Sequence, residues 1–473
     1  MTSWLIGMAI FMVHLLGLLS AVLALLSSRT SQGAIAWIIS LVTFPYVALP
    51  AYWIFGRPRF YGYVSARGER DTVLRRVLMR YREQVEPYLA DSNLAEVRAV
   101  EHLAKMPLTS GNHAELLIDG EATFESLFAG IDAAEEYLLI QFFIIRHDAL
   151  GLELKHRLES AAERGVRVYF LYDEIGCHKL NEGYLVDLID AGVAVSAFNN
   201  SSMGVRHRYQ LNFRNHRKVL VVDGREGWLG GFNVGVEYLG QHRRHGPWRD
   251  THLKLTGPSV LGLQEAFWED WHWATGDVLG LSWEPHVASE ECQNVVIVPS
   301  GPADRQETAS LMVQHAIHSA RKLLWVTSPY FVPDQGVLDA LRLAAMRDVD
   351  VRIMIPERPD HLLVFLSAFS FLPDMLRAGV KVFRYQPGFL HQKVMLIDDH
   401  TATVGTVNLD NRSFRLNFEI TAYIPDRRFA AQVRLMLEKD FTQCRRISYE
   451  EIHERPLWKK VVSRAAYLLS PVQ

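Results

Sequence analysis

The stretch NHRKVLVVDGREGWLGGFN, from Asn215 to Asn233, decides the fold, because the chain contains a second version of it. That second version is LHQKVMLIDDHTATVGTVN, from Leu390 to Asn408. Both stretches carry His, Lys, Asp, Gly and Asn at the same offsets, and we call them the first box and the second box. Such a pattern rarely arises twice by chance. The repetition predicts a chain built from two similar halves.

Each box is predicted to begin on a buried β-strand. The runs VLVV and VMLI are apolar and rich in branched side chains, as in the strands of a sheet covered on both faces. Side chains two residues apart on a strand point the same way. His216 and Lys218 therefore share one surface, and so do His391 and Lys393.

The acid of each box should face the other way. Asp223 and Asp398 lie at an odd offset from their histidines, so on a continuing strand they point to the opposite face. We count both among the candidate site residues, as the third members of two His-Lys-Asp sets. Within those sets we expect them to have a supporting role as structural anchors.

Paired imidazoles beside two lysines suit chemistry at an anionic phosphorus. One neutral histidine can attack, and the other, when protonated, can hand its proton to the leaving oxygen. The lysines would stabilise charge on the nonbridging oxygens, with Asn233 and Asn408 as neutral donors. This chemistry requires neither a metal ion nor a cofactor. A single His-x-Lys pair is often only a surface strand, but two matched boxes argue against that interpretation.

A second pair of acids follows the boxes. A further strand begins after each one, WRDTHLKL with Asp250 and NFEITAYI with Glu419. A carboxylate bound to one imidazole nitrogen fixes the tautomer and leaves the other nitrogen free to attack. We therefore predict that Asp250 and Glu419 orient the two histidines. The alternative is an ordinary charged residue at the start of a strand.

The boxes resemble the hallmark of the phospholipase D superfamily, and the whole chain is similar to the bacterial cardiolipin synthases within it. The likeness also rests on two N-terminal hydrophobic segments, on TSPYFVPD at Thr327 to Asp334, and on NLDNRSFRLNFE at Asn408 to Glu419. The resemblance implies a phosphohistidine intermediate and one active site where two similar α/β halves meet. It also implies phosphatidyl transfer from one phosphatidylglycerol to another, giving cardiolipin and glycerol.

Three alternative functions stay open on the sequence. With water as the acceptor, the same groups would form a membrane-bound phospholipase D that releases phosphatidic acid. A nuclease of the superfamily would need a strongly basic groove with interleaved aromatic residues, and neither the two halves nor the net charge of −3 favours nucleic acid. A non-catalytic lipid-binding scaffold predicts at least one degraded box, whereas both boxes are intact.

The N-terminus is predicted to cross a membrane twice, as a helical hairpin. Trp4 to Leu26 is an uncharged run long enough to span a bilayer, and a second run from Gly33 to Phe55 follows closely. A cleaved signal peptide is less favoured, because the start lacks a basic leader. Only Arg29 lies in the connector, whereas a cluster of arginines lies between residues 57 and 82. This bias predicts a multi-pass protein of the bacterial inner membrane with its catalytic domain in the cytoplasm.

The second of these membrane segments contains two prolines that disfavour a straight helix. Pro45 and Pro50 interrupt its apolar run, and proline breaks or kinks a helix because it lacks the backbone N–H and clashes with the preceding turn. A kinked or partly re-entrant helix is therefore an alternative to a straight second span.

The predicted fold class is α/β, with two similar sandwich halves that share one active site. Residues 1–56 form the membrane helices, 57–110 a basic helical linker, 111–280 the first domain and 281–473 the second. The linker and the amphipathic C-terminal segment Pro456 to Ser470 are candidates for contact with anionic lipid headgroups. Ordinary solvated or packed helix faces are equally open for both. The oligomeric state stays open.

A few further residues are singled out by position. Gln141 and either Thr327 or Ser328 lie near the ends of apolar strands, where α/β proteins bind ligands, and we expect them to contact glycerol or phosphate. Arg249 ends an arginine-rich loop, together with Arg243 and Arg244, that could meet lipid headgroups.

The cysteines indicate a reducing compartment. Cys177, Cys292 and Cys444 are widely scattered, which gives no spacing typical of metal ligands and no disulfide framework. A chain of 473 residues that is 49% hydrophobic can bury two good-sized cores without such help.

Overall fold

The computed structural model describes residues 2–56, 60, 63, 72–90, 95–198, 212–241, 246–288 and 293–473. Arg243, Arg244, Cys292 and the arginine cluster from 57 to 70 lie outside the described residues. The chain forms two compact units. The smaller comprises Met1–Ala66 with Ser201–Arg214, and the larger comprises Arg67–Asn200 with Asn215–Gln473.

In the smaller unit three apolar helices follow one another, α1 (Thr2–Ser27), α2 (Ser31–Thr43) and α3 (Pro45–Phe55). Among the described residues, α1 alone is long and apolar enough to cross a membrane, over Trp4–Ser27 with a mean hydropathy of 2.5. The predicted second span is broken at Phe44, because Pro45 lacks a backbone N–H and restricts the residue before it. One membrane-spanning helix is thus supported, and the predicted second crossing is not.

The predicted helical linker forms the start of the larger unit, as α4 (Thr72–Val85) and α5 (Ala95–Ala104). Their apolar residues Tyr81, Val85, Val97 and Val100 are all buried. These two helices therefore pack against the body of the unit through one face.

The first half alternates strands with helices. Its strands and helices, in chain order, are β1 (Thr109–Ile118), α6 (Asp119–Asp132), β2 (Tyr137–Phe142), α7 (Ala149–Glu163), β3 (Arg167–Tyr172), α8 (Glu182–Asp190), β4 (Ala194–Ala197), β5 (Arg214–Asn215), β6 (Val219–Val222), β7 (Glu226–Gly230), β8 (Trp248–Arg249), β9 (Thr251–Thr256) and α9 (Val260–Thr275).

The second half repeats this order with small additions. Its strands and helices are β10 (Gln293–Ser300), α10 (Thr308–Ser319), β11 (Leu323–Thr327), β12 (Phe331–Val332), α11 (Gln335–Met346), β13 (Asp350–Pro356), α12 (Leu362–Ala368), α13 (Leu372–Arg377), β14 (Lys381–Tyr385), β15 (Phe389–Leu390), β16 (Val394–Ile397), β17 (Thr401–Gly405), β18 (Leu409–Asp410), α14 (Asn411–Arg415), β19 (Asn417–Ile424), α15 (Arg427–Thr442), β20 (Cys444–Arg446), α16 (Tyr449–His453) and α17 (Leu457–Tyr467).

Several of these helices begin at an aspartate whose carboxylate caps free backbone N–H groups. Asp148 accepts from the N–H groups of Leu150 and Gly151 at the start of α7. Asp334 and Asp426 cap α11 and α15 in the same way. The first N–H groups of a helix have no partner within it, so such caps fix where each helix starts.

A single sixteen-stranded sheet runs through both halves, in the order β20-β14-β13-β11-β16-β17-β19-β10-β1-β9-β7-β6-β2-β3-β4, with β5 beside β19. The halves join where β1 pairs antiparallel with β10. On either side of that junction, strands occur in matching order, so β6 of the first box lies between β2 and β7, as β16 lies between β11 and β17. The predicted α/β class with two similar halves is confirmed.

The strands of both boxes lie in the core, as their apolar runs predict. Every residue of Val219–Val222 and of Val394–Ile397 is buried. Residues 277–288, near the predicted boundary between the halves, form neither helix nor strand. The predicted domain limits at 111–280 and 281–473 fit this gap and stay predictions.

Candidate active site

The histidine and lysine of each box lie just before the strand and are buried together. His216 and His391 are each 7% exposed, Lys218 is fully buried and Lys393 is 5% exposed. Each lysine turns back on its own box: Lys218 Nζ donates to the carbonyl of His216 at 2.6 Å, and Lys393 Nζ donates to that of His391. The predicted sharing of one surface by His and Lys is thus realised in both boxes.

The first histidine is held by the second half of the chain. Its backbone N–H donates to the carbonyl of Phe418 at 2.9 Å. Its ring Nδ1 lies 2.8 Å from Oε2 of Glu419, the next residue along. The other oxygen of Glu419 accepts from Nδ2 of Asn417 at 3.1 Å, which fixes the carboxylate.

The second histidine is held by the first half in the same way. The backbone N–H of His391 donates to the carbonyl of Arg249 at 2.8 Å, and its Nδ1 lies 2.7 Å from Oδ2 of Asp250. The short parallel pair β8–β15 explains this contact, since Arg249 lies opposite Leu390 and the next two residues therefore meet. Asp250 and Glu419 thus make the predicted contacts, each across the boundary between the halves.

A glycine in the first box makes room for one of these acids. A side chain at Gly231 would approach Oδ1 of Asp250 to 2.0 Å, so no larger residue fits without moving the carboxylate. A side chain at Gly230 or at Gly405 would likewise clash with the backbone of the strand that follows, at His252 and at Ile420 respectively. The glycines of the two boxes therefore allow close approach of the strands that carry the acids.

The environment of both histidines favours the neutral ring. Burial lowers the pKa of His216 to about 4, with Lys218 adding to the effect and Glu419 opposing it. Burial also lowers the pKa of His391 well below its usual value, and the charges of Lys393 and Lys218 lower it further. With Nδ1–H donating to a carboxylate, Nε2 of each ring carries the free lone pair that a nucleophile or base requires.

The lysines and acids share one electrostatic environment. Burial lowers the pKa of Lys218 to about 7, and the charge of Lys393 contributes. Burial lowers the pKa of Lys393 to about 8, while Asp250 and Glu419 oppose the shift. Burial raises the pKa of Asp250 to about 6. For Glu419 burial acts in the same direction, but His216 and Lys218 outweigh it and the net pKa is lowered. The two boxes therefore form one site.

The third members of the two sets anchor strands, away from the imidazoles. The carboxylate of Asp223 accepts from the N–H groups of Glu135, Glu136 and Tyr137 at 2.7 to 2.9 Å. Asp398 accepts from the matching N–H groups of residues 321–323. Both aspartates adopt positive φ angles, 53° and 52°, which Asp tolerates better than most residues. Their contacts agree with the anchoring role expected of them.

The two box asparagines differ in their surroundings. Asn233 is engaged within the protein, since Oδ1 accepts from the N–H of Ile144 at 3.0 Å and Nδ2 donates to the hydroxyl of Tyr238 at 3.2 Å. Asn408 donates its backbone N–H to Ser413, and within the described part of the chain its side-chain Oδ1 has no hydrogen-bond partner. Donation to substrate by either residue stays a proposal.

The side chains that were candidates for substrate contact form hydrogen bonds within the protein. Gln141 Nε2 donates to Asp270, Thr327 Oγ1 to the carbonyl of Val394, and Ser328 Oγ to that of Tyr330. Arg249 donates through Nε and Nη2 to both carboxylate oxygens of Asp440 at 2.8 Å. All four are buried, so the predicted contacts of these groups with glycerol, phosphate or headgroups gain no support from the structure and stay predictions.

Two buried aspartates that sequence reasoning missed hold the residue between His and Lys of each box. Asp270 Oδ2 accepts from Arg217 at 2.9 Å and from Asn215 at 2.8 Å. Asp440 Oδ2 accepts from Gln392 at 2.8 Å. Asp270 lies on α9, the helix that follows β9, and Asp440 lies on α15, the helix that follows β19. A sequence signal for Asp270 was available, because this acid lies within the largely apolar helix VLGLQEAFWEDWHWAT.

Aromatic rings enclose the imidazoles. The ring of Phe143 lies 5.1 Å from that of His216, edge to face, and Lys218 Nζ lies 5.4 Å from its centre. The indole of Trp248 lies 5.2 Å from the ring of His391. These walls desolvate the charged groups and thereby produce the pKa shifts described above.

Comparison with known proteins agrees with this geometry. A family model described as "Cardiolipin synthase, PLD-like domain" matches residues 127–244 and 313–441, one segment around each box. A second, "Phospholipase D-nuclease N-terminal", matches residues 13–57. The chain is 47% identical to Cardiolipin synthase A of Pseudomonas entomophila (strain L48) over 471 residues, 98% of both chains.

Another relative and one solved structure extend the comparison. Cardiolipin synthase A of Pseudomonas aeruginosa (strain LESB58) is 47% identical over 474 residues, which cover 99% of this chain and 96% of that one. The crystal structure of phosphatidylserine synthase from Haemophilus influenzae Rd KW20 superposes with a TM-score of 0.59 at 16% identity. It covers 80% of this chain and 100% of that chain, and it supports the fold alone. With its doubled box, its two matching halves and these full-length relatives, the chain belongs to the cardiolipin synthase family of the phospholipase D superfamily.

Proposed function

We propose that this chain transfers the phosphatidyl group of one phosphatidylglycerol to the headgroup hydroxyl of a second, giving cardiolipin and glycerol. The observation that supports it best is the crossed pairing of His216 with Glu419 and of His391 with Asp250 beside two buried lysines. That arrangement supplies a nucleophile, a proton carrier and charge stabilisation in one enclosed site.

In the first step Nε2 of His216 attacks the phosphorus, and the bond from phosphorus to the glycerol oxygen breaks. His391 gives its proton to the departing glycerol oxygen. The anionic diester raises the pKa of His391 when it binds, because a nearby negative charge favours the protonated ring. Lys218 and Lys393 stabilise the nonbridging oxygens. The product of this step is a phosphatidyl group bonded to His216.

In the second step a second phosphatidylglycerol takes the place of glycerol. Its headgroup hydroxyl loses a proton to His391, now neutral, and attacks the phosphorus. The bond from phosphorus to His216 breaks, which restores the neutral imidazole, and cardiolipin leaves. His391 thereby recovers the proton that it gave to glycerol in the first step, so atoms and protons balance over the two steps.

Location at a membrane favours a lipid rather than water as the acceptor. Helix α1 is long enough to hold the protein at a bilayer, where headgroup hydroxyls are concentrated. We propose that α2 and α3 complete a hairpin with both ends on the cytoplasmic side of the inner membrane, as the arginine bias favours. Water in the acceptor position would turn the same site into a phospholipase D.

The identity of the product tests this proposal. Labelled phosphatidylglycerol in vesicles with the purified full chain should give cardiolipin and free glycerol. Excess glycerol should suppress cardiolipin, because it competes for the phosphatidyl-histidine and regenerates phosphatidylglycerol. Lipid products are separated by chromatography and identified by mass spectrometry. Phosphatidic acid as the sole product would assign the chain as a hydrolase.

The pKa shifts predict a bell-shaped pH dependence of kcat/KM for the free enzyme. Activity should rise with pH through about 6, because the Asp250 carboxylate ionises there and can then hold His391. It should fall as pH increases through about 7 to 8, because Lys218 and Lys393 lose their protons. Initial rates on vesicles across this range measure both limbs.

The acidic limb has its own control. In Asp250→Asn the limb assigned to this carboxylate should disappear, while the alkaline limb persists at a much lower rate. A wild-type profile that is flat from about pH 5.5 to about pH 9 would contradict the assignment of these groups.

A further inference from the structure

A cleft of about 560 Å³ lies apart from the two boxes, between α12 and the C-terminal segment. Arg384, on β14, lines it and is only 6% exposed. Its Nη1 lies 3.3 Å from Oε1 of Glu357, but within the described part of the chain its Nε and Nη2 have no hydrogen-bond partner. A buried guanidinium with two unused donors indicates a missing anionic partner.

A second arginine lies against the same ring as the first. The guanidinium of Arg455 is 3.6 Å from the centre of the Phe369 ring, and that of Arg384 is 5.0 Å from it. Burial lowers the pKa of Arg455, and the like charge of Arg384 lowers it further. Two cations held this close repel each other unless an anion lies between or beside them.

The acids around the cleft offset this repulsion only in part, because burial lowers the pKa of Arg384 by more than Glu357 and Glu451 raise it. Glu451 lines the cleft but is paired with Arg445 through both of its oxygens. Glu357 is shared between Arg384, Arg445 and the side chain of Gln386. Lys459 adds a further positive charge to the lining. Glu454 contributes a further carboxylate to the lining. The cleft therefore offers an anion two guanidinium groups and an ammonium group, against the carboxylates of Glu451 and Glu454.

The rim of the cleft is apolar and exposed. The predicted amphipathic segment forms α17, and of its residues only Ser463 and Ala466 are buried. Trp458 is 64% exposed, Val461 58%, and Leu362 on the neighbouring α12 64%. The alternative that this stripe packs against the domain is therefore not realised. Large apolar side chains beside buried cations match an amphiphile better than a free ion.

We infer that this cleft binds the phosphate group of an anionic phospholipid from the bilayer, with its acyl chains lying along the exposed face of α17. The site is distinct from the two boxes and would hold a lipid without transforming it. Phe365, which lines the cleft, also lines a smaller pocket with Tyr330 and Asp360. The charge of Asp360 acts on His391, so a bound lipid would lie on the side of the second box. The inference does not depend on the chemistry proposed for the histidines.

Photolabelling tests this site directly. The probe is phosphatidylglycerol with a diazirine in one acyl chain, added to the full-length His216→Ala protein in nonionic detergent so that it is not consumed. We expect adducts on residues 362–369 or 456–462, several-fold more than with the matching phosphatidylcholine probe. Arg384→Gln and Arg455→Gln should each weaken this labelling at least about tenfold, the usual loss for a charge-assisted hydrogen bond.

The matched control is Arg352→Gln. Arg352 also stacks on two aromatic rings, those of Trp325 and Phe441, but it is paired with Asp350 and does not line the cleft. Its labelling should equal that of the parent. Should Arg384→Gln fail to fold by circular dichroism, the partly exposed Arg455 carries the test.

Other outcomes would overturn the inference. Displacement of the probe by millimolar inorganic phosphate would assign the cleft to free phosphate. Equal labelling by the two lipid probes, or labelling unchanged in both arginine variants, would show that no anion site exists there. The readout is labelling of the cleft rather than turnover, so none of these results depends on whether the chain makes cardiolipin.

Discussion

Replacing His216 with Ala should reduce phosphatidyl transfer by at least about 10⁴-fold, because it removes the nucleophile to which the phosphatidyl group becomes bonded. His391→Ala should cost about 10² to 10⁴-fold, the usual range for a lost general acid and base. Turnover of phosphatidylglycerol in vesicles measures both effects. Folding should persist in both variants, since Ala is smaller than His and introduces no new clash.

A donor with an activated leaving group separates the two roles. In a phosphatidyl ester of p-nitrophenol, the leaving group is p-nitrophenolate, which departs near neutral pH without needing a proton. On this donor, the release of p-nitrophenol by His391→Ala should approach the wild-type burst, while His216→Ala stays inactive. The reverse pattern would exchange the roles of the two histidines.

Two further results bear on the two-histidine scheme. His102→Ala is a suitable control, because His102 is exposed and its Nδ1 binds the carbonyl of Arg98 on its own helix. Its turnover should match that of the wild type. Near-normal turnover in either His216→Ala or His391→Ala would exclude the scheme.

Glu419→Gln is the second large effect, with an expected loss of about 10³ to 10⁴-fold in kcat. The amide cannot stabilise the imidazolium that forms on His216, and it can present an N–H to Nδ1 and so select the wrong tautomer. The side chain keeps its size, so the loss should appear in kcat with little change in the melting temperature. Steady-state rates and thermal unfolding in detergent measure these two quantities.

The crossed pairing predicts different roles for the two acids. Glu419 acts on the nucleophile His216, whereas Asp250 acts on the proton carrier His391. The p-nitrophenyl donor should therefore restore the burst in Asp250→Asn and leave Glu419→Gln slow. Glu237→Gln is the control, because Glu237 pairs with Arg146 away from both imidazoles. An unchanged rate in Glu419→Gln at every pH would remove this residue from an orienting role.

Much of the architecture follows from the two boxes. Their recurrence predicts the two halves, and the apolar runs VLVV and VMLI predict the buried strands of the shared sheet. The same-face rule at i and i+2 correctly groups His216 with Lys218, and the odd offset of Asp223 correctly separates it from the imidazole. The outcome agrees with these predictions although His216, Lys218 and Asp223 all lie just outside the strand Val219–Val222, so the geometry of the turns at its ends contributes as well.

The predictions that the structure leaves unsupported depend on long-range partners. Gln141 and Arg249 look like ligands from their positions, but Asp270 and Asp440, far along the chain, take up their donors. No local pattern states that Asp250 belongs to His391 rather than to His216, because the β8–β15 pair that aligns them joins opposite halves. The second membrane segment is interrupted for a local reason, because Pro45 divides it into α2 and α3, and this break agrees with the kinked helix expected as the alternative.

The exchange of carboxylates between the halves constrains how such a chain could have originated. A half-length ancestor with one box would have had a histidine but no acid in reach of it, unless a twin molecule supplied one. Gene fusion would then have preserved an existing homodimer rather than created a new enzyme. Once fused, the two copies no longer had to remain identical, and one acid is now Asp250 while the other is Glu419.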